Sequence, residues 1–187
     1  SVSGLYPHVY RKLPFDPLTD LLPVSVICSF EFCMAVPANS PAKTVQEFVA
    51  LAKSDPKFAV YGSLGLGTSF HFLGSMLEQA AGVKLTHVPF KGSAEVHNAI
   101  ASKQIMVAAM NIGEALQYQK GGTPLRHLGQ MSEKRSSLAP QVPTFKEQGL
   151  PVIMASLRGV AAPKGLPVAV REQLVQALQK AVVDPEF

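Results

Sequence analysis

The most informative segment of this chain for its fold is Tyr61-Gly-Ser-Leu-Gly-Leu-Gly-Thr-Ser-Phe-His71. It follows a short strand-like run and leads into residues 68–81, where apolar residues at helical spacing predict a helix. A strand, a glycine-rich loop and a helix start together favour anion binding, because the first N–H groups of a helix have no partner within it. A tight turn with an ordinary N-cap explains the same residues equally well, so the sequence leaves both interpretations open here.

Two well-known motifs are similar to this loop without matching it. The glycines at 62, 65 and 67 follow the pattern G-x-x-G-x-G, whereas the dinucleotide motif is G-x-G-x-x-G, and no G-K-[ST] follows as in a P-loop. A hydrolase nucleophile elbow, G-x-S-x-G, requires glycine where this chain has Tyr61. The segment therefore contains none of these three motifs.

Strand and helix signals alternate around this segment. Strands are predicted over residues 57–61, 83–88, 105–110 and 125–130. Helices are predicted after the first three, over 68–81, 94–102 and 114–120. Strands separated by helices form βαβ units, so an α/β fold with a parallel sheet and right-handed crossovers is expected.

The flanking regions add further elements. The capping-box pairs Thr44/Glu47 and Thr144/Glu147 mark the starts of two more predicted helices. A strand is predicted over 152–162 and an amphipathic helix over 168–183, whereas residues 1–24 have an irregular pattern.

Composition narrows the class of protein. The 187 residues are 47% apolar and 16% charged, which suits a globular core and excludes a disordered chain. No apolar run approaches the roughly 20 residues that a membrane helix needs. The net charge is +4 with scattered basic residues, so nucleic-acid binding is not expected, while a small anionic ligand is compatible with the charge.

Two further loops are expected beside the glycine loop. The segment Val88-Pro-Phe-Lys-Gly-Ser-Ala94 again joins a strand to a helix, with Lys91 as a cation and Ser93 placed to cap the helix. Asn111 follows the strand at 105–110. Because ligands bind beyond the carboxyl ends of the strands in open α/β sheets, all three loops are predicted to face one crevice.

The sequence predicts no metal site, no cofactor and no catalytic group. The five histidines and two cysteines lack metal-ligand spacing, and Cys28 and Cys33 are expected to be buried free thiols. His71 either faces a ligand or packs against the protein. Arg158 is an isolated cation in an apolar strand, for which a ligand carboxylate and an ordinary salt bridge are both open. No base-and-nucleophile set can be assembled.

The chain resembles the Bug (Bordetella uptake) family, the periplasmic solute-binding proteins of tripartite tricarboxylate transporters. The resemblance rests on an ordered set of motifs over nearly the whole length. They are Tyr6-Pro-His-Val-Tyr10, Leu13-Pro-Phe-Asp-Pro17, Val36-Pro-Ala-Asn-Ser-Pro-Ala-Lys-Thr44, the stretches 61–71 and 88–94, Gln141-Val-Pro-Thr-Phe-Lys-Glu-Gln-Gly149 and the stretch 159–167.

This resemblance implies a type II periplasmic-binding-protein clamshell in which one lobe is complete, with parallel βαβ units, and the other is partial. Residues 1–27 would belong to the first lobe and 28–156 would form the second. Residues 157–187 would hold the crossover and a first-lobe helix. The first-lobe surface left uncovered in this way is expected to pair two copies as a homodimer.

The implied function is capture of a small organic carboxylate, either a di- or tricarboxylate or an aromatic acid, for delivery to membrane permease subunits. The implied location is periplasmic, although the opening Ser-Val-Ser-Gly is not a signal peptide. The alternative is an α/β enzyme acting on a small anionic substrate.

The resemblance also implies that two loops supply N–H and hydroxyl donors to the carboxylate. These ligand-binding residues are Ser63, Gly67, Thr68, Ser69, Lys91, Gly92, Ser93 and Ala94. The residue pattern itself adds Gly65, His71, Asn111 and Arg158 to the predicted site.

Overall fold

The computed structural model describes residues 3–122 and 124–186. They divide into two compact units. The first unit contains the described residues up to Ser29 and from Ser156 onward, and the second unit is continuous from Phe30 to Ala155. The first two residues of the Ser-Val-Ser-Gly opening lie outside the described residues, as do positions 123 and 187.

Helices and strands alternate along most of the chain. The strands are β1 (Leu21–Pro37), β2 (Val60–Ser63), β3 (Thr86–Pro89), β4 (Val107–Asn111), β5 (Leu125–Gln130) and β6 (Ala155–Pro163). The helices are α1 (Tyr6–Val9), α2 (Val45–Ser54), α3 (Ser69–Ala81), α4 (Ser93–Ala101), α5 (Ile112–Lys120) and α6 (Val168–Val182), with a 3-10 helix over Pro56–Ala59.

The sheet of the second unit is mixed. Its strand order is β3-β2-β4-β1-β5, in which β2 runs parallel to β3 and β4, while β1 runs antiparallel to β4 and β5. Parallel βαβ units are therefore confirmed for β2, β3 and β4. The predicted parallel sheet also contains one strand of opposite direction, because β1 lies between β4 and β5 and runs antiparallel to both.

Several local predictions also need correction. Residues 56–59 form a 3-10 helix, so β2 begins only at Val60. The capping box at 144–147 forms both of its hydrogen bonds, Thr144 N to Glu147 Oε2 at 2.6 Å and Glu147 N to Thr144 Oγ1 at 3.0 Å. It closes a turn and not a helix, because Gly149 at φ +80° ends the segment after one turn.

The sheet carries a hydrophobic core on each face. Phe32 and Met34 of β1 point to the layer containing α2 and α3, whereas Cys33 and Ala35 point to the layer containing α4 and α5. This alternation follows from the two-residue period of a strand. Helices therefore cover both faces of the sheet in the second unit.

The two cysteines differ in burial. Cys33 is fully buried, as predicted, and burial raises the pKa of its thiol. Cys28 is exposed, so the expectation of two buried thiols is wrong for it.

No helix among the described residues is long and apolar enough to cross a membrane.

Candidate functional site

Three loops lie at one edge of the sheet because they follow parallel strands. Ser63 at the end of β2 is in register with Pro89 of β3, and Gly62 is in register with Ala108 of β4. The N–H of Phe90 donates to the Ser63 carbonyl at 2.9 Å, which joins the first two loops. The structure thus brings the glycine loop, the Lys91 loop and Asn111 to the same edge.

The glycine loop forms the N-terminus of α3. Gly65 and Gly67 have φ values of +104° and +69°, a region that strongly favours glycine. Thr68 is the N-cap: its Oγ1 accepts the His71 N–H at 3.4 Å and donates to the Gly65 carbonyl at 2.8 Å. Ser69 occupies the first helical position. Its N–H and that of the residue after it have no partner within the helix, so the positive end of α3 stays available to an anion.

Three side-chain rings, those of Tyr61, His87 and His71, stack on one another next to this loop. The Oγ atom of fully buried Ser63 lies 2.5 Å from Nε2 of His87. The His87 ring stacks on Tyr61 with ring centroids 4.8 Å apart, and on His71 at 4.3 Å. Burial lowers the pKa of His87, and the charge of His71 lowers it further.

His71 packs against the protein, and its side chain also forms a hydrogen bond with the glycine loop. Its Nδ1 accepts the N–H of Gly67 at 3.2 Å, and its carbonyl accepts the Tyr61 hydroxyl at 3.1 Å. The imidazole therefore fixes the peptide that precedes the N-cap of α3, while its ring rests on His87.

Sequence reasoning missed His87 as a neighbour of the site. His87 is in register with Tyr61 on the adjacent parallel strand, so the two-residue period places its side chain on the same face as Tyr61 and Ser63. That periodicity was the available signal, and it required knowing that β2 and β3 pair directly.

The Lys91 loop differs from the prediction. Gly92, and not Ser93, is the N-cap of α4. The Ser93 hydroxyl instead donates to Glu114 Oε2 at 3.0 Å, and the Lys91 N–H donates to Glu95 Oε2 at 3.0 Å. Two of the predicted ligand donors are thus already bound to carboxylates of the chain. Ala94 and the Lys91 side chain are exposed.

Asn111 is the N-cap of α5, where its Oδ1 accepts the Gly113 N–H at 2.8 Å. Between α4 and α5, the buried His97 stacks on Tyr118 with ring centroids 3.4 Å apart. Burial lowers the pKa of His97, and the negative charge of Glu114 partly opposes that effect. Within the described residues, Nδ1 of His97 has no hydrogen-bond partner.

Arg158 lies on β6 in the first unit, where its side chain is exposed. Arg158 therefore has no need of a buried partner for its charge, contrary to the expectation for an isolated cation in an apolar strand. The structure places the other eleven predicted residues in the second unit and does not place Arg158 there. Among the described residues, no group of three or more metal-ligating side chains comes together.

The family model for the receptor of the tripartite tricarboxylate transporter family matches residues 1–187. The chain belongs to this family. Its members are described as receptors, which points to binding as their common role.

Similar proteins agree with this assignment. The UPF0065 protein in the gbd 5′ region of Cupriavidus necator is 36% identical over 184 residues, covering 96% of this chain and 56% of that protein. An R. palustris protein solved with adipate is 30% identical, with a TM-score of 0.80 over 93% of this chain and 57% of that one. The periplasmic binding protein BugD is 26% identical, with a TM-score of 0.85 over 98% of this chain and 62% of that one.

These comparisons confirm the resemblance to the Bug proteins and the predicted periplasmic-binding-protein fold. The chain spans 56% of the Cupriavidus relative and about three-fifths of the solved structures.

Proposed function

We propose that the protein containing this chain captures a small organic carboxylate in the periplasm and delivers it to the membrane permease subunits of a tripartite tricarboxylate transporter. The observation that carries this proposal is the uncompensated N-terminus of α3, held open by Gly65 and Gly67 in a member of a receptor family. A relative that is 30% identical was solved with adipate, a dicarboxylate.

The second unit, Phe30–Ala155, corresponds in this proposal to the second lobe of a clamshell. The first unit belongs to the other lobe and the crossover. On the second lobe, the carboxylate is bound by N–H and hydroxyl groups of the glycine loop. The donors in this set are the N–H groups of Gly65 and Thr68 and the N–H and hydroxyl of Ser69. Gly67 shapes the loop and does not donate to the ligand, because its N–H is bound to His71. The Thr68 hydroxyl is likewise bound, to the Gly65 carbonyl.

The ammonium group of Lys91 adds a positive charge from the neighbouring loop, and Arg158 is assigned to the first-lobe side. Gly92 and Ala94 lie beside the ligand at the start of α4, whose positive end is already compensated by Glu95.

Ser63, Ser93 and Asn111 have a different role in this proposal. Their side chains are bound to His87, Glu114 and the backbone of α5, so they position the loops. They are not expected to contact the ligand through these groups.

One observation favours the enzymatic alternative, namely the 2.5 Å contact between Ser63 Oγ and His87 Nε2. A serine nucleophile needs such a base, but it must also reach its substrate. Ser63 is fully buried, so its hydroxyl has no access to a bound molecule. We therefore assign this pair a structural role and propose that the protein is not an enzyme.

Binding is tested by thermal unfolding of this chain and of the complete protein with a panel of di-, tri- and aromatic carboxylates. A reporter dye is needed because the chain has no tryptophan. An acid present at about 100 times its Kd adds about 2.7 kcal/mol of stability, which raises the Tm by about 5–10 °C for a domain of this size.

The matched controls for the panel are the primary amides of the same acids, which lack the charge. NMR of the mixtures shows whether any acid is converted. A shift with an acid but not its amide, without turnover, supports the proposal. Turnover would support the enzymatic alternative, and no shift in the complete protein would contradict carboxylate binding.

Assembly is a separate proposal: two copies pair through the apolar surface of the first unit. No described residue of α6 is buried, and Leu157, Val168 and Val170 are exposed by 62%, 70% and 41%. We expect light scattering to give the mass of a dimer, and Val170→Glu to shift it to a monomer. A strict monomer at all concentrations would exclude this pairing.

A further inference from the structure

Three helices of the second unit begin with the same arrangement. In each, the side chain of the third helical residue accepts the N–H of the residue before the N-cap. In α2, Glu47 Oε2 accepts from Lys43 at 2.6 Å. In α4, Glu95 Oε2 accepts from Lys91 at 3.0 Å. In α3 the acceptor is different, because the Nδ1 atom of His71 takes the place of the carboxylate and accepts the Gly67 N–H.

This difference changes the charge at the helix start. A carboxylate at the third position compensates the positive end of the helix and repels a second anion. An imidazole carries no negative charge, so it makes the same hydrogen bond without compensating the positive end of the helix. The N-termini of α2 and α4 therefore already hold an anion of the chain itself, while that of α3 does not.

The stack beneath the loop keeps His71 in this role. Its ring lies nearly parallel to that of His87, with 13° between the planes, and His87 is fixed by its contacts with Ser63 and Tyr61. The Tyr61 hydroxyl also binds the His71 carbonyl. These contacts come from β2 and β3, so they hold the imidazole independently of the capping interaction.

We propose that His71 sets the charge selectivity of the glycine loop: it replaces the carboxylate used by the neighbouring helices and so allows α3 to accept the carboxylate of a ligand. The inference rests on the proposed function and names the residue that makes the loop select an anion. His71 acts here through Gly67 and is a positioning and selectivity residue.

The test compares His71→Glu and His71→Gln in the complete protein, using the acid and its primary amide identified by thermal unfolding. Glutamate is the residue that α2 and α4 already use at this position, so it can still accept the Gly67 N–H. It adds a like charge next to the ligand, and we expect the affinity for the acid to fall about thirtyfold. Glutamine accepts without charge and is expected to stay within about fivefold of the wild type.

The preference for acid over amide separates selectivity from structural damage, since a distorted loop weakens both ligands. His71→Glu should lose the preference, and His71→Gln should keep it. Gln79→Glu is the matched control, because it adds the same charge to an exposed position further along α3. That variant should bind as the wild type does.

Two results would overturn the inference: an unchanged acid preference in a folded His71→Glu protein, or a loss above about tenfold in a folded His71→Gln protein. If His71→Glu does not fold, the acid affinity of His71→Gln tests the inference by itself. If the wild-type protein binds none of the acids, the proposed function itself fails, and this outcome is distinct from a failure of the role of His71.

Discussion

Replacing Gln130 with leucine should lower the free energy of unfolding by about 3 kcal/mol or more. The Gln130 side chain is fully buried at the end of β5. Its Nε2 donates to the carbonyls of Ala139 and Val142 at 2.7 and 2.8 Å, and its Oε1 accepts the N–H of Ser136 at 2.8 Å. Leucine has a similar size but satisfies none of these backbone groups, and each unsatisfied buried group costs about 1–3 kcal/mol.

Urea unfolding followed by circular dichroism measures this loss. Gln119→Leu is the matched control, because its Nε2 makes a single hydrogen bond of 3.2 Å to Leu125 from an exposed position. For this control we expect the free energy of unfolding to fall by less than about 1 kcal/mol. Equal losses in the two variants would show that Gln130 does not hold the segment after β5 in place.

The parts of the fold that depend on local patterns were predictable. The glycine loop, the helix after it and the strand β5 lie within two or three residues of their predicted positions, because spacing, caps and glycines act within one segment. The strand β1 was not predicted. Its place in the sheet depends on pairing Phe32 with Asn111 and Cys33 with Gln130, residues that are far apart in the sequence. No local pattern encodes that pairing.

The same contrast between local patterns and long-range contacts holds for the candidate site. The loops could be located from the sequence, but the partners of their side chains could not. Ser93 was expected to cap α4, and its hydroxyl instead binds Glu114, which lies 21 residues away on the next helix. Ser63 binds His87 across 24 residues. These contacts decide which donors remain free for a ligand, and they follow from strand order, which the sequence does not show directly.

Gly74→Ala is expected to destabilise the protein by about 2–3 kcal/mol, although alanine favours a helix by about 1 kcal/mol over glycine. Gly74 lies in the middle of α3, and a Cβ atom there would overlap the ring and hydroxyl of Tyr61. Tyr61 has little freedom to move, because its hydroxyl binds the His71 carbonyl at 3.1 Å and its ring stacks on His87. The variant therefore strains the same stack that supports the glycine loop.

A double-variant cycle with Tyr61→Leu isolates this overlap, since leucine removes the ring atoms that the new methyl group would meet. In the Tyr61→Leu background, Gly74→Ala should cost less than about 1 kcal/mol, so the two substitutions should be coupled by more than about 1 kcal/mol. Urea unfolding of the four proteins gives this coupling. Additive losses would mean that α3 accommodates the methyl group without straining Tyr61 and would contradict this prediction.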